Sequence, residues 1–458
     1  MNLLNQITRE KTELKEIWNR IKRRDFEGNE GLAIKNSIYQ FLTTFTAKIG
    51  SLIFIIVLAR LLMPELFGLY NLAFSTIVIF GTVASLGVGE TLVRFVSKLS
   101  AEKKKGKARA YIFYLGKVRL IATAIMIFAL LALANFIANT YYQKPIFLAL
   151  LAGSFYILLF QLSNFSQSVL EATNYFKGIF YKEIILQALR VFFVLSFVLV
   201  LLNKGISNEA LLFFILVALA FSYLISALFM GSHWVKKFSN KKTKKIPLPA
   251  QDKPEINKFL AATSFVVLSG IFFSYIDIVM LGRFVKAEFI GFYGANSALI
   301  GGIIPLIGFG SIVLLPIFSK LKGARSKNAL KKSIRTIFLP SALVAILVFL
   351  FAPLIISLIY GSDYSPSIGL LRLFSILLIF IPITGLLQAY FISQSRPGKL
   401  AKMLLISTLV NIVLNYFFIV SLLPYGHLAA VYGAGVATIL SKTLYMVYLS
   451  ISVKKIYK

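Results

Sequence analysis

The 458-residue chain contains no cysteine, which excludes disulfides and thiolate-bound zinc. Histidine is almost as scarce: His233 and His427 lie far apart and form no metal-ligand motif. Acidic residues are few, 17 Asp and Glu against 49 Lys and Arg, for a net charge of +32. There is no Gly-x4-Gly-Lys-Ser/Thr run, so the chain carries no phosphate-cradling ATPase loop. His-Glu-x-x-His and Gly-x-Ser-x-Gly are missing too. No metal or cofactor is expected. Any driving energy must come from an ion gradient, the substrate's own gradient or another protein.

What the chain has in excess is apolar sequence, 58% of its residues against about 45–50% in soluble domains. The apolar residues fall into twelve blocks of 20–28 or so, at 36–62, 69–95, 111–138, 145–170, 183–203, 209–234, 257–283, 289–319, 335–360, 366–394, 400–423 and 428–453. A membrane-spanning helix needs about 20 residues, so an all-α polytopic membrane protein with twelve spans is predicted. The pattern excludes a soluble enzyme, a secreted scaffold and a disordered chain. It also excludes a β-barrel, whose strands alternate over about 10 residues.

The basic residues report topology rather than nucleic-acid binding, because they sit in the breaks between blocks instead of on one soluble face. The N-terminus and every second break carry 37 of the 49 Lys and Arg, and the opposite loops carry five: Arg60, Lys144, Lys204, Arg283 and Lys286. Positive loops face the cytoplasm, which predicts a multi-pass cell-membrane protein with both termini inside. The opposite loops are short and leave little room for an outer catalytic domain, so no enzyme is expected. The first 33 residues lack the apolar core and cleavage site of a signal peptide. Leu4, Ile7, Leu14, Trp18 and Ile21 recur there at helical spacing among basic residues. This predicts a helix lying on the anionic lipids of the inner leaflet; a solvated basic tail is the alternative.

The chain repeats itself. Leu58, Arg60, Glu65, Gly68 and Tyr70 match Leu281, Arg283, Glu288, Gly291 and Tyr293 at an offset of 223. Ser97-Lys-Leu99 matches Ser319-Lys-Leu321 at 222, and Gln167 matches Gln388 at 221. The predicted organisation is a basic N-terminal segment (1–33), a six-helix bundle (34–235), a basic linker (236–256) and a second six-helix bundle (257–458). An even number of spans per half gives both the same orientation, a parallel repeat about an axis along the membrane normal. Such proteins bind substrate between the halves.

At these residues the sequence resembles a known family. The Ala59-Arg-x-Leu-x-Pro-x-x-Phe-Gly-x-Tyr70 run, Asp277, Met280-Leu-Gly282 and Gly291-Phe-Tyr293 resemble the O-antigen type polysaccharide flippases. These belong to the superfamily of multidrug, oligosaccharidyl-lipid and polysaccharide exporters. The resemblance covers roughly residues 33–455. It implies two six-helix bundles around a central cavity, export of polyprenyl-linked glycans, and a monomer. Ion-coupled multidrug antiporters and lipid II-type flippases share the fold and are the alternatives.

Charges inside the blocks mark candidate site residues, since a charge at a helix centre costs about 2.5–3.5 kcal/mol on insertion scales. Seven are basic: Lys48, Arg94, Lys117, Arg119, Arg190, Arg372 and Lys442. Lys48 and Lys442 are deepest. Arg190 and Arg372 lie about two turns in, whereas Arg94, Lys117 and Arg119 are near enough to an end to snorkel. A cationic interior suits a pyrophosphate, whose lost hydration Arg can replace with paired donors. The two intramembrane acids are Asp277 and Glu90. Asp277 is a candidate for taking up H+ or Na+, against a structural ion pair. Glu90 is expected to neutralise Arg94 at i,i+4, with a coupling role as the alternative. Gln161, Asn164, Ser168 and Glu171 share one face of the fourth span, suited to a sugar-lined cavity or to interhelical hydrogen bonds. Asn411 and Asn415 make a similar case, and Asn411 falls at the repeat position of Arg190. Gly301, Gly302, Pro305, Gly308, Gly310 and Pro316 give the eighth span a bend or a close-packed face.

Overall fold

A computed structural model describes residues 28–238, 248–320, 323–394 and 396–455. The N-terminal amphipathic segment and most of the basic linker lie outside the described residues. The first half comprises α1 (Gly28–Ser85), α2 (Val88–Ala101), α3 (Lys105–Asn135), α4 (Phe147–Glu171), α5 (Phe176–Leu202) and α6 (Asn208–Phe238). The second comprises α7 (Lys253–Phe284), α8 (Ala287–Lys320), α9 (Gly323–Leu350), α10 (Ala352–Ile359), α11 (Ile368–Ser375), α12 (Leu377–Ser393), α13 (Pro397–Leu422) and α14 (His427–Lys455).

Among the described residues, eleven helical segments are long and apolar enough to cross a membrane. The first, Ile34–Ala101, has 68 residues, about 100 Å at 1.5 Å per residue against a hydrocarbon thickness of about 30 Å. It folds back at Met63, whose φ is 57°, just before Pro64. Proline lacks the N–H that a continuous helix needs. The segment therefore makes two passes, and the described residues make twelve spans. The paired segments α9–α10 and α11–α12 each form one pass.

One break was not expected. The second pass unwinds at Leu86 and Gly87, with φ of 46° and 61°. The freed Leu86 carbonyl finds a new donor in Ser264 at 2.7 Å, and the Gly87 carbonyl opens the next helix, accepting from the Thr91 amide at 3.2 Å and hydroxyl at 2.9 Å. Irregular backbone at membrane depth is tolerated only where such partners exist. The repeat position, around residues 309–310, runs through α8 without a break.

The loops group as the charge pattern requires. On the basic side Lys107 pairs with Asp252 at 2.8 Å, and Tyr114 donates to Asn257 at 2.8 Å. On the far side Arg60, Lys144 and Arg283 all reach across to the other half. The exposed Glu102, in the first basic turn, is held below the usual carboxylate range by the Lys104 ammonium at 2.8 Å.

The apolar core is one body on the far side and several on the basic side. The far-side cluster runs from Phe54 and Leu58 through Leu150, Leu212 and Leu281 to Tyr364 and Ala434, joining both halves. On the basic side Leu386, Tyr390 and Leu449 centre a cluster within the second half. Val88, Leu92 and Ile112 centre another in the first half, joined by Ile256 and Leu260 at the start of α7 and by Leu248 before it. Lipid gives helices no hydrophobic drive to associate, so close approach at small residues does the work.

Candidate functional site

The far seam is built from repeat equivalents facing one another. A Cβ on Gly68 would strike the Ala287 carbonyl, and one on Gly291 would strike the Pro64 carbonyl. Only glycine permits this backbone-to-backbone contact. Arg60 donates from Nε to the Ile359 carbonyl at 2.6 Å and from a second nitrogen to that of Leu358, at the end of α10. Its equivalent, Arg283, donates to the Tyr141 carbonyl at 2.7 Å, just beyond α3. Each half thus caps a helix end of the other with a cation, where the orphan carbonyls carry partial negative charge. Lys144 adds a bond to the Gly282 carbonyl at 2.6 Å. Desolvation, and then repulsion from Arg283, pushes its pKa down to about 8.

Behind this seam the first half places Arg190. It is 8% exposed on α5. Its guanidinium lies over Phe54 at 4.6 Å and donates to Ser51 at 3.3 Å and Gln187 at 3.2 Å. Neither partner is a carboxylate, and its buried Nε has no partner among the described residues. Its charge reaches Tyr70, Tyr156 and, from the other half, Tyr275. Rings pack on from there: Phe74 against Tyr156 at 5.6 Å, Tyr156 against Tyr223 at 5.4 Å, and Phe160 against Tyr223 at 5.2 Å. Lys48 is exposed on α1, one turn before Ser51.

A polar chain leads up to Arg190 along one face of α5. Lys182 bonds Gln167 at 2.9 Å and pairs with Glu183 at 3.1 Å; Gln187 donates to Glu183 at 2.6 Å. Gly50 makes room for the Gln187 side chain. Sequence reasoning missed Lys182 and Glu183, assigning Lys182 to a loop. The signal was present: 183, 187 and 190 fall at helical spacing on one face.

The second half holds a carboxylate instead. Asp277 is 5% exposed. It accepts from Tyr293 at 2.7 Å and Thr438 at 2.5 Å on Oδ2, and from Asn415 at 2.6 Å on Oδ1. The buried amide oxygens of Asn411 and Asn415 have no partners among the described residues. Lys442 is half-buried, sits over Phe273 at 5.0 Å and feels the Asp277 carboxylate.

The remaining candidates scatter. Arg119 and Gln161 are brought together, 3.1 Å apart at Nε, with Gln161 also donating to the Gly81 carbonyl. Both are buried between α1, α3 and α4. Glu90 is exposed and makes no ion pair with Arg94 or any other residue among the described residues. Arg94 instead lies over Phe259 of α7 at 4.3 Å, in a basic-side cleft of about 380 Å³ with Lys98 and Lys107. Asn164 is half-buried, and its carbonyl accepts from Ser168 at 3.0 Å. Arg372 is exposed in a groove made only by second-half helices.

Two pseudo-equivalent six-helix halves, a seam sealed at one end and charges held at membrane depth define the class: a polytopic helical membrane protein with a transporter fold. Residues 33–322 match the family model described as polysaccharide biosynthesis protein, and the chain belongs to that family. Solved structures share the fold. An inward-facing multidrug resistance MATE family transporter of the MOP superfamily aligns with a TM-score of 0.68 and 16% identity, covering 91% of this chain and 95% of that one. The lipid II flippase MurJ, in an inward closed conformation, gives 0.68 and 17%, covering 91% and 87%. A MOP superfamily transporter from Pyrococcus furiosus, described as having a binding pocket of reverse polarity, gives 0.58 and 15%, covering 94% and 98%. No curated protein matches the sequence.

Proposed function

We propose that the protein is a flippase carrying a polyprenyl-pyrophosphate-linked oligosaccharide from the inner to the outer leaflet by alternating access. The observation that carries this reading is Arg190: a cation at membrane depth, bonded only to neutral groups, with a buried donor unspent. Such a group calls for an anion. Lys48 and Lys442 supply further positive charge, and the half-buried Tyr275 and Tyr223 offer flat apolar faces with hydroxyl tips, suited to sugar rings. The polyprenyl tail stays in lipid throughout. With the basic side in the cytoplasm, the sealed far seam makes this an inward-accessible state. Anionic inner-leaflet lipids and the positive loops then gather at the same surface. Asp277 is the coupling group: uptake of H+ or Na+ by its carboxylate, with Asn411, Asn415 and Thr438 as further oxygen ligands, favours one arrangement of the second half.

The test is flipping of a fluorescent polyprenyl-pyrophosphate oligosaccharide in proteoliposomes, with and without pH or sodium gradients. Arg190→Ala, Lys48→Ala and Lys442→Ala are expected to lose transport while remaining folded. Full activity in all three would overturn the phosphate-binding role. Export of small cations in place of the glycolipid would favour the antiporter alternative.

A further inference from the structure

Arg372 leaves one charge that the translocation site does not use. It lines a groove of about 770 Å³ between α9, α11–α12 and α14, to which the first half contributes nothing. Its guanidinium has no hydrogen-bond or ion-pair partner among the described residues and rests 5.7 Å from the Phe349 ring. The groove carries its one charge at one end, and its only other polar side chains are Tyr432 and Ser375, whose hydroxyl is spent on the Arg372 carbonyl at 2.7 Å. Arg372 lies about one turn inside the far-side start of α11, near Tyr432. From there the walls run toward the membrane centre as Ile376, Val436 and Leu440. Leu440 is 46% exposed and Ile376 38%, so the groove opens along the lipid-facing surface. The first half packs differently at the matching position. At offset 221 the counterpart of Arg372 is Leu151, packed into the far-side core, where α4 and α6 press together far more extensively than α12 and α14 do.

We infer that this groove is a binding site for an anionic phospholipid of the far-side leaflet. The phosphate sits on Arg372 at headgroup depth, and one acyl chain lies along Ile376, Val436 and Leu440. A lone cation above an apolar trough matches the charge and the lengthwise polarity of such a lipid. The volume falls within the range of ligand pockets, about 300–1,000 Å³.

Native mass spectrometry of the purified full-length protein tests this, titrating phosphatidylglycerol, phosphatidylcholine and a polyprenyl phosphate. Phosphatidylglycerol is expected to bind at least fivefold more tightly than phosphatidylcholine. That preference should vanish in Arg372→Gln and persist in Arg372→Lys and Lys48→Ala. Val436→Trp, which fills the trough, should abolish the adduct. Equal binding of the two phospholipids, or an unchanged Arg372→Gln, overturns the site. Displacement of phosphatidylglycerol by equimolar polyprenyl phosphate overturns the choice of ligand and assigns the groove to the carrier lipid.

Discussion

The two halves share a backbone plan and differ in what they hold at its centre. Position 277 is an aspartate in the second half, and its equivalent at offset 223 is Phe54. Position 190 is an arginine in the first, and its equivalent at offset 221 is Asn411. Tyr70 and Tyr293 are the same residue in different employment. Tyr70 stacks on Phe74 at 5.6 Å, whereas Tyr293 donates to Asp277. Carboxylate with its donors on one side, cation with its rings on the other: the difference teaches that a repeat can conserve packing while dividing the chemistry. The seam where the halves meet kept its symmetry; the interiors did not.

The largest effect is expected where the first half's polar chain is cut. Glu183→Ala leaves Lys182 buried with only Gln167. Removing one partner of a buried pair costs about 3–5 kcal/mol, to be read as a large fall in the thermal midpoint, while Glu183→Gln should recover part of it. Next comes the division of labour itself. Arg190→Ala should raise the apparent KM for the glycolipid about 10- to 100-fold, from about 1.5–3 kcal/mol per charged hydrogen bond. Asp277→Asn should leave that KM near wild type and remove the gradient dependence of the rate. Equal defects of both kinds in both variants would erase the proposed distinction.

Smaller effects test the symmetric seam. Arg60→Gln and Arg283→Gln should weaken far-side closure by similar amounts, up to about 2 kcal/mol each. The readout is labelling of an Asn71→Cys reporter by an impermeant maleimide, free of background because the chain has no cysteine. A large effect from one arginine alone would break the equivalence. The smallest effect concerns pH. The folded pKa of Lys144 is depressed to about 8, below the hydrated value of about 10.4. Between these values the open seam binds more protons than the closed one, so closure should strengthen as pH rises through that window. Reporter labelling should slow accordingly.

Much of this was legible in the residues. Block lengths gave the spans, and the 223-residue offset named Arg60, Gly68, Arg283 and Gly291 before their contacts were visible. The turn at Met63–Pro64 was legible, because the break between the first two blocks holds Pro64, Glu65 and Gly68; the unbroken helical hydrogen bonding around it and the left-handed backbone of Met63 were not. The unwinding at Leu86–Gly87 was hidden too, because the hydroxyls that stabilise it, Thr263 and Ser264, lie some 176 residues away. Depth along a span could be counted, but rotation about the helix axis could not. Hence Lys48, Arg190, Arg372 and Lys442 looked alike in sequence, yet Arg372 faces a groove apart from Arg190. Glu90 and Arg94 had the spacing of a pair, but Phe259 from α7 claims the arginine.

The contact between Gly68 and Gly291 has a further consequence. An interface in which a residue meets its own equivalent is isologous, the arrangement of a two-fold dimer. The chain has the geometry of a homodimer whose protomers have been joined end to end. In a dimer of identical protomers every substitution is made twice, so cation and carboxylate could not have been assigned to different sides. Covalent joining removed that constraint.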